Sequence, residues 1–196
     1  MTPTDPKADL RQYLQSARDA LLWKLDGLSE YDIRRPLTPT GTNLLGLVKH
    51  AATAELLWLG YTFGRPTDEP LTWLAEEAGP NASMWATLDE TREHIVGMYR
   101  RACAHSDATI DALGLDAVGD VPMWPGDRGK VTLHRALVHL IAETSRHAGH
   151  ADVVRELIDG AVGKHPGEDD MTAGDQDWWR TYRERLEQVA REAGQR

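Results

Sequence analysis

Residues 132–160, with the sequence TLHRALVHLIAETSRHAGHADVVRELIDG, decide the fold and the function that we predict for this chain. Their apolar spacing predicts one long helix that ends at Gly160. Four ionisable side chains fall within about 80° of one another around this helix, and they are His139, Glu143, His147 and His150. The same sector holds aliphatic residues, so we expect the ionisable groups on the buried face; these aliphatic residues are Leu140, Val154, Leu157 and Ile158.

The ionisable residues of this helix predict a metal site. A carboxylate and imidazoles inside a core are costly unless they are paired, hydrogen-bonded or coordinated to a cation, and one cation would satisfy all of them at once. Residues four positions apart on a helix can point their donor atoms at the same ion, as in the pairs His139 with Glu143 and Glu143 with His147. His147 with His150, three positions apart, is a third option.

A further ligand is available on another predicted helix. His50 lies in the middle of this helix, and Leu47, Ala51 and Ala54 place it on the inner face. Three protein ligands with an open position are typical of catalytic zinc sites, whereas structural sites have four ligands and usually use cysteine. Cys103 is the only cysteine, so a closed structural site is not expected. A buried hydrogen-bond network of the same residues is the alternative interpretation.

Apolar spacing predicts three more bundle helices and one C-terminal helix. The bundle helices cover residues 7–28, with Tyr13 on the inner face, 43–64 and 87–113. Thr42 or Asn43 is the predicted cap of the second helix, and Thr87 with Glu90 is the predicted capping box of the third. The C-terminal helix covers 177–193 and is expected to pack on the bundle through Trp179, Tyr182, Leu186 and Val189.

The sequence shows no strand pattern, so the predicted fold is all-α. We expect a four-helix bundle with an additional C-terminal helix. Residues 1–196 are predicted to form a single domain, with a core at about 8–160 and a C-terminal extension at about 161–196.

Composition excludes several classes of protein. The net charge is −9, with 31 acidic and 22 basic residues scattered along the chain, which disfavours binding to nucleic acid. No apolar run approaches the roughly 18 residues of a membrane span. The polar N-terminus lacks the apolar region of a signal peptide, and the lone Cys103 suits a reducing compartment. We therefore expect a cytoplasmic protein without a membrane segment.

Trp124 is a candidate for contact with a bound cofactor. It lies in residues 121–130, VPMWPGDRGK, a connector between two predicted helices. Large aromatic side chains in such segments can wall a pocket. The alternative is that this connector merely joins two helices and that the tryptophan covers the core.

Residues 44–59, LLGLVKHAATAELLWL, and 139–160, HLIAETSRHAGHADVVRELIDG, resemble the DinB/YfiT-like metalloenzyme superfamily. The resemblance is strongest to its actinobacterial branch of mycothiol-dependent enzymes and covers most of residues 8–160. In this family one histidine comes from the second helix and two ligands, four positions apart, come from the fourth. The resemblance therefore implies His50, Glu143 and His147 as metal ligands.

The glutamate departs from the three-histidine pattern of many members, but the mycothiol-dependent maleylpyruvate isomerase branch has glutamate at this position. Two histidines and one carboxylate suit Zn²⁺, which is our first candidate, with iron, nickel and manganese as alternatives. His150 is then a neighbour of the site, as an outer group, an alternative ligand or a proton carrier. His150 and His139 are our candidates for catalytic proton transfer.

The resemblance also implies a reaction. A low-molecular-weight thiol, with mycothiol as the favoured candidate, would lose its proton on binding the metal and become a nucleophile. We expect its transfer to an electrophilic small molecule, with thiol-dependent isomerisation as the narrower option. Homodimers are common in the family, so a homodimer is a candidate assembly. The alternative function is a non-enzymatic metal- or ligand-binding helical bundle of the stress response.

Overall fold

The computed structural model describes residues 5–124, 126–168, 171 and 174–195. Within these ranges the chain forms six α-helices and one antiparallel pair of short strands. The helices are α1 (Pro6–Trp23), α2 (Glu30–Arg34), α3 (Leu44–Glu55), α4 (Arg92–Ala112), α5 (Leu133–Asp159) and α6 (Gln176–Ala193). The strands are β1 (Val118–Asp120) and β2 (Lys130–Thr132). The predicted all-α fold is confirmed.

Four long helices form the bundle. Helix α1 packs against α5, and α3 packs against both α4 and α5. Each helix contributes an apolar stripe to the core, as expected for amphipathic helices that bury one face. Fully buried members of these stripes include Leu14, Leu21, Leu45, Val48, Ile95, Tyr99, Leu137 and Leu140. Helix α3 therefore lies beside α5, which brings the two sequence segments of the predicted metal site together.

Local capping signals explain several helix ends. The Asn43 side chain accepts a hydrogen bond from the backbone N–H of Gly46 at 2.8 Å, so α3 begins where predicted. Gly160 adopts a positive φ of 79° and ends α5, since glycine tolerates this conformation. The predicted start of the third helix is wrong. Thr91 caps α4, since its hydroxyl accepts from the backbone N–H of His94 at 3.1 Å. Glu90 accepts from the backbone N–H of Thr87, as a capping box requires, but it also pairs with Lys49 on α3, and residues 87–90 form a turn before the helix.

The second predicted helix changes pitch near its end. After Glu55 the chain continues as a π-helical turn, Leu56–Gly60, and a 3₁₀ turn, Tyr61–Phe63. Gly64, with φ of 65°, ends the segment. A π-helical turn contains more residues than an α-helical turn and is frequent at functional sites. Trp58 lies within this turn.

The short sheet was not predicted. Strands β1 and β2 are only three residues long, too short for a recognisable alternation of polar and apolar residues. Gly119 of β1 lies so close to the 3₁₀ turn after α3 that an added Cβ would be 2.5 Å from the carbonyl oxygen of Thr62. The two strands thus pair the beginning and the end of the connector between α4 and α5. They also hold this connector against the 3₁₀ turn Tyr61–Phe63 that follows α3.

The C-terminal helix forms as predicted, but the expected packing on the bundle is wrong. Trp179 is half-buried, whereas Tyr182, Leu186 and Val189 are exposed. The aromatic residues of α6 contact one another instead, and the rings of Trp178 and Tyr182 stack with centroids 5.2 Å apart.

Tyr13 is also exposed, because the buried face of α1 passes through Leu14, Ala17 and Leu21. No helix in the described part of the chain combines the length and hydrophobicity that spanning a bilayer demands.

Candidate metal centre

The structure brings His50, Glu143 and His147 together between α3 and α5. His50 Nε2 lies 3.3 Å from Glu143 Oε1, and His147 Nε2 lies 4.0 Å from the same oxygen. One donor atom from each of the three residues lies within 4.8 Å of the other two. His139 and His150 are not members of this group. The geometry thus joins one residue of α3 with two residues of α5 that are four positions apart.

The ionisable residues of α5 lie on the flank of its buried face, not in its centre. Side-chain exposure decreases from 39% at His139 to 26% at Glu143 and 13% at His147, and His150 is exposed. The buried stripe is centred roughly 120° around the helix from His139, and it includes Ala136, Leu140, Thr144, Ala148 and Ala151. Leu157, expected to be buried, is 64% exposed for the same reason. The site is therefore half-buried and opens to solvent along one edge.

His147 has the properties that a metal ligand needs. Its Nδ1 atom is buried and has no hydrogen-bond partner among the described residues. Burial, together with the nearby ring of His50, lowers the pKa of His147 to about 4. The imidazole is therefore neutral at neutral pH and has a lone pair available for coordination. The Nε2 atom of the same ring lies 4.0 Å from Glu143 Oε1, and a cation bound by either nitrogen would offset part of the burial cost of this side chain.

Glu143 supplies the negative charge of the site. Its hydrogen bond with His50 lowers the pKa of the carboxyl group below its usual value, and nearby His139 acts in the same direction. Burial opposes this shift without outweighing it. The two oxygens have different partners, since Oε1 faces His50 and His147 while Oε2 lies 2.9 Å from His139 Nε2. One carboxylate and two imidazoles form a donor set that fits a divalent ion such as Zn²⁺.

Ser83 is a site residue that the sequence analysis missed. Ser83 lies on the 3₁₀ turn Ala82–Met84, and its hydroxyl oxygen is 3.4 Å from Nδ1 of His50. Asn43 Nδ2 donates to the carbonyl oxygen of Met84 at 3.1 Å, which ties this turn to the start of α3. Gly46 permits the close contact, because an added Cβ would lie 1.8 Å from the same oxygen. No local pattern around Ser83 indicates this long-range contact.

Aromatic rings form a wall beside His139, which in turn contacts Glu143. The ring centroids of Trp58 and His139 are 3.9 Å apart, and Trp124 meets Trp58 edge-on at 5.4 Å. Trp124 thus contributes to the wall through Trp58. His150 lies on the other side, where its exposed ring is 5.6 Å from that of His147. The structure therefore brings His50, Glu143 and His147 together, places His139 and His150 in contact with members of this group, and leaves Trp124 outside the group, in contact with Trp58.

A buried ionic network that the sequence analysis also missed holds α3 against its neighbours. Arg18 of α1 donates to both carboxylate oxygens of Glu55 at 2.7 and 2.8 Å, and to Asp107 of α4 at 2.8 Å. Arg18 and Glu55 are almost completely buried. Such a pair fixes the relative positions of helices because its charges cannot be left unpaired in the core. Glu55 of this network belongs to α3, the helix that also contains His50. The network therefore helps to fix the position of His50 in the bundle.

Comparisons with known proteins identify the family and support the fold. The family model described as mycothiol S-transferase matches residues 9–160. Among solved structures, a conserved protein from Enterococcus faecalis is similar with a TM-score of 0.58 and 16% sequence identity. The alignment covers 81% of this chain and 100% of that protein, and at this identity it shows the fold alone. No curated protein sequence matches the chain.

Proposed function

Because the chain belongs to the mycothiol S-transferase family, we propose that it transfers a mycothiol-like thiol to an electrophilic small molecule. A divalent metal ion, with Zn²⁺ as the first candidate and iron, nickel or manganese as alternatives, would be held by His50, Glu143 and His147. The observation that carries this proposal is the convergence of one donor atom from each residue within 4.8 Å. Family membership supports the thiol, and the donor set supports the ion.

A bound divalent ion would supply Lewis-acid chemistry that lowers the pKa of a thiol at the site, so that the thiolate forms at neutral pH. Two of the three candidate ligands already have the protonation state that metal binding requires. Glu143 is ionised and His147 is neutral at neutral pH, so neither needs to lose a proton before it binds a cation. His50 is oriented by Ser83 on one side of its ring and by Glu143 on the other.

The transfer reaction balances without an oxidant or reductant. The S–H bond of the thiol breaks, the sulfur forms a bond to an electrophilic carbon, and the leaving group departs with its bonding electron pair. The thiol proton passes to solvent. We assign this proton transfer to His150, whose exposed ring lies beside His147 at 5.6 Å. Trp124, which is half-buried and packs edge-on against the buried Trp58, offers an apolar surface on which the electrophile can pack.

Conjugation of mycothiol tests the proposal. The purified full chain, supplied with Zn²⁺, is mixed with mycothiol and either a halogenated bimane or a halogenated dinitrobenzene, and the conjugate is quantified by chromatography. We expect a conjugate with wild-type protein and with His94→Ala, a control at an exposed position of α4. We expect none above the uncatalysed background with His50→Ala or after chelation of the metal.

Two other results would contradict the proposal in different ways. Bound metal that depends on His50, without conjugate formation from a broad panel of electrophiles, would favour a metal-binding protein without transferase activity. Conjugate formation that is equal in wild-type protein and His50→Ala would show that the three-residue site is not the site of the reaction.

A further inference from the structure

The two oxygens of Glu143 are held by different residues. Oε2 lies 2.9 Å from His139 Nε2, whereas Oε1 faces His50 at 3.3 Å and His147 at 4.0 Å. A carboxylate can bind a metal through one oxygen or through both. Here the second oxygen already has a close contact, 2.9 Å, with the ring nitrogen of His139, a side chain outside the group of candidate ligands. This arrangement favours binding through Oε1 alone.

His139 is itself held in place by an aromatic ring. His139 and Glu143 are four residues apart on one helix, and the side chain of His139 is 39% exposed. Such an exposed pair would ordinarily be mobile and would contribute little to stability. Trp58, however, is 8% exposed, and its ring lies 3.9 Å from the imidazole with an angle of 34° between the planes. Trp124 packs edge-on against Trp58. The indole therefore restricts the imidazole to an orientation that reaches Glu143.

The position of Trp58 depends on the π-helical turn Leu56–Gly60 that follows α3. A π-helical turn changes the direction of its side chains relative to a continuous α-helix and is a frequent feature of functional sites. Here the turn contains the residue that contacts His139 of α5. An irregular backbone segment and two side-chain contacts thus converge on one carboxylate oxygen.

We propose that His139 is a positioning residue, held by Trp58, which keeps Glu143 bound to the metal through a single oxygen and is not itself a ligand. This inference rests on the proposed function, since it assumes a metal at the three-residue site. Outer groups that hydrogen-bond to ligands commonly orient them and tune the metal. The consequence here is that a coordination position remains free for the thiol, because the second carboxylate oxygen is directed towards His139 instead.

Titration of metal-free full-length protein with Co²⁺ tests this inference without an activity assay. The visible spectrum of Co²⁺ reports its coordination number, since four-coordinate Co²⁺ absorbs more strongly than five- or six-coordinate Co²⁺. We expect His139→Ala to weaken Co²⁺ binding by about 10- to 100-fold and to lower the absorption, because the second oxygen of Glu143 becomes free to bind. His139→Gln retains an N–H donor at the end of the side chain, so it should restore most of both signals.

Variants of Trp58 separate positioning from direct binding. We expect Trp58→Phe, which keeps an aromatic ring, to resemble wild-type protein. Trp58→Leu should weaken Co²⁺ binding in the same direction as His139→Ala, and the double variant should be no weaker than His139→Ala alone, because both act through Glu143. Thermal unfolding of each variant, followed by circular dichroism, shows whether it is folded at the temperature of the titration.

The possible failures are distinguishable. If His139→Ala binds Co²⁺ with unchanged affinity and spectrum, the positioning role is wrong. If His139→Ala and His139→Gln both abolish binding as His50→Ala does, His139 is a ligand and the inference is overturned. In both cases the proposed metal site is still supported if His50→Ala loses Co²⁺ binding. If wild-type protein and His50→Ala bind Co²⁺ equally, the proposed function and this inference both fail.

Discussion

The ring of His50 meets the ring of His147 edge-on, with 4.8 Å between the centroids. These residues belong to different helices, α3 and α5, so an ion held between them would connect two parts of the bundle that are distant in sequence. The unfolded chain lacks this arrangement. A ligand that binds only the folded state stabilises it by mass action.

The first prediction is that Zn²⁺ stabilises the protein through His50. At a free Zn²⁺ concentration a hundredfold above Kd, we expect the free energy of unfolding to rise by about 2.7 kcal/mol and Tm to rise by several degrees. Differential scanning calorimetry of metal-free protein with increasing Zn²⁺ measures both. His50→Ala should lose the increase and His94→Ala should keep it. An equal increase in His50→Ala would place the ion elsewhere.

The second prediction concerns Ser83. Its hydroxyl oxygen lies 3.4 Å from His50 Nδ1, so Ser83→Ala removes a group that orients the ring. We expect Co²⁺ or Zn²⁺ affinity to fall by about tenfold, while the stability of metal-free protein changes by less than about 0.5 kcal/mol. Competition with a chromogenic chelator measures the affinity. Ser83→Thr keeps the hydroxyl and serves as the control, so a similar loss in Ser83→Thr would argue against the hydrogen bond as the cause.

The third prediction compares two helical glycines. An added Cβ at Gly46 would lie 1.8 Å from the carbonyl oxygen of Met84, whereas at Gly149 it would meet no described atom within 4 Å beyond its own stretch of helix. Gly46→Ala must displace the turn that holds Ser83, and we expect it to lower the free energy of unfolding by about 1–3 kcal/mol or more. Gly149→Ala should raise it by up to about 1 kcal/mol, because alanine favours helix. Urea denaturation distinguishes these opposite signs.

Features of the site that depend on local periodicity could be predicted from the sequence. The inward direction of His50 follows from the apolar residues around it in α3, and the shared face of Glu143 and His147 follows from their four-residue spacing. The caps Asn43 and Gly160 are similarly local. These features can be predicted because each depends on only a few neighbouring residues. The tertiary structure adds only the position of α3 beside α5.

The rest of the site depends on contacts between distant segments. Ser83 reaches His50 only because the start of α3 binds its turn, and Trp58 reaches His139 from a π-helical turn that apolar spacing does not reveal. The burial of the α5 residues was overestimated for a related reason. A helical wheel gives their relative directions, but the neighbouring helices decide which direction is the centre of the core, and this centre lies beyond His147.

The last prediction concerns the pH dependence of stability that arises from Glu90. Burial acts to raise the pKa of its carboxyl group, but hydrogen bonds from Lys49 and the backbone of Thr87 outweigh it and hold the pKa below its usual value. As the pH falls below about 4.5, the unfolded chain therefore takes up a proton that the folded chain resists, and stability decreases until the pH passes the lowered pKa.

Glu90→Gln should remove this contribution. Lys49 is 2% exposed, and in this variant it would lose its carboxylate partner and keep neutral or aromatic partners among the described residues, namely the new amide oxygen, the carbonyl oxygen of Trp85 and the ring of Trp73. We expect the variant to lose about 1–2 kcal/mol at pH 7, a value reduced because Glu90 is partly solvated, and to lose less further stability than wild-type protein between pH 5 and about 3.5. Urea denaturation across this range measures both effects, with Glu93→Gln at an exposed position of α4 as the control. Parallel pH profiles of Glu90→Gln and wild-type protein would show that the carboxylate is not preferentially ionised in the folded state. In that case the ion pair between Lys49 and Glu90 would not be the interaction that links α3 to the start of α4.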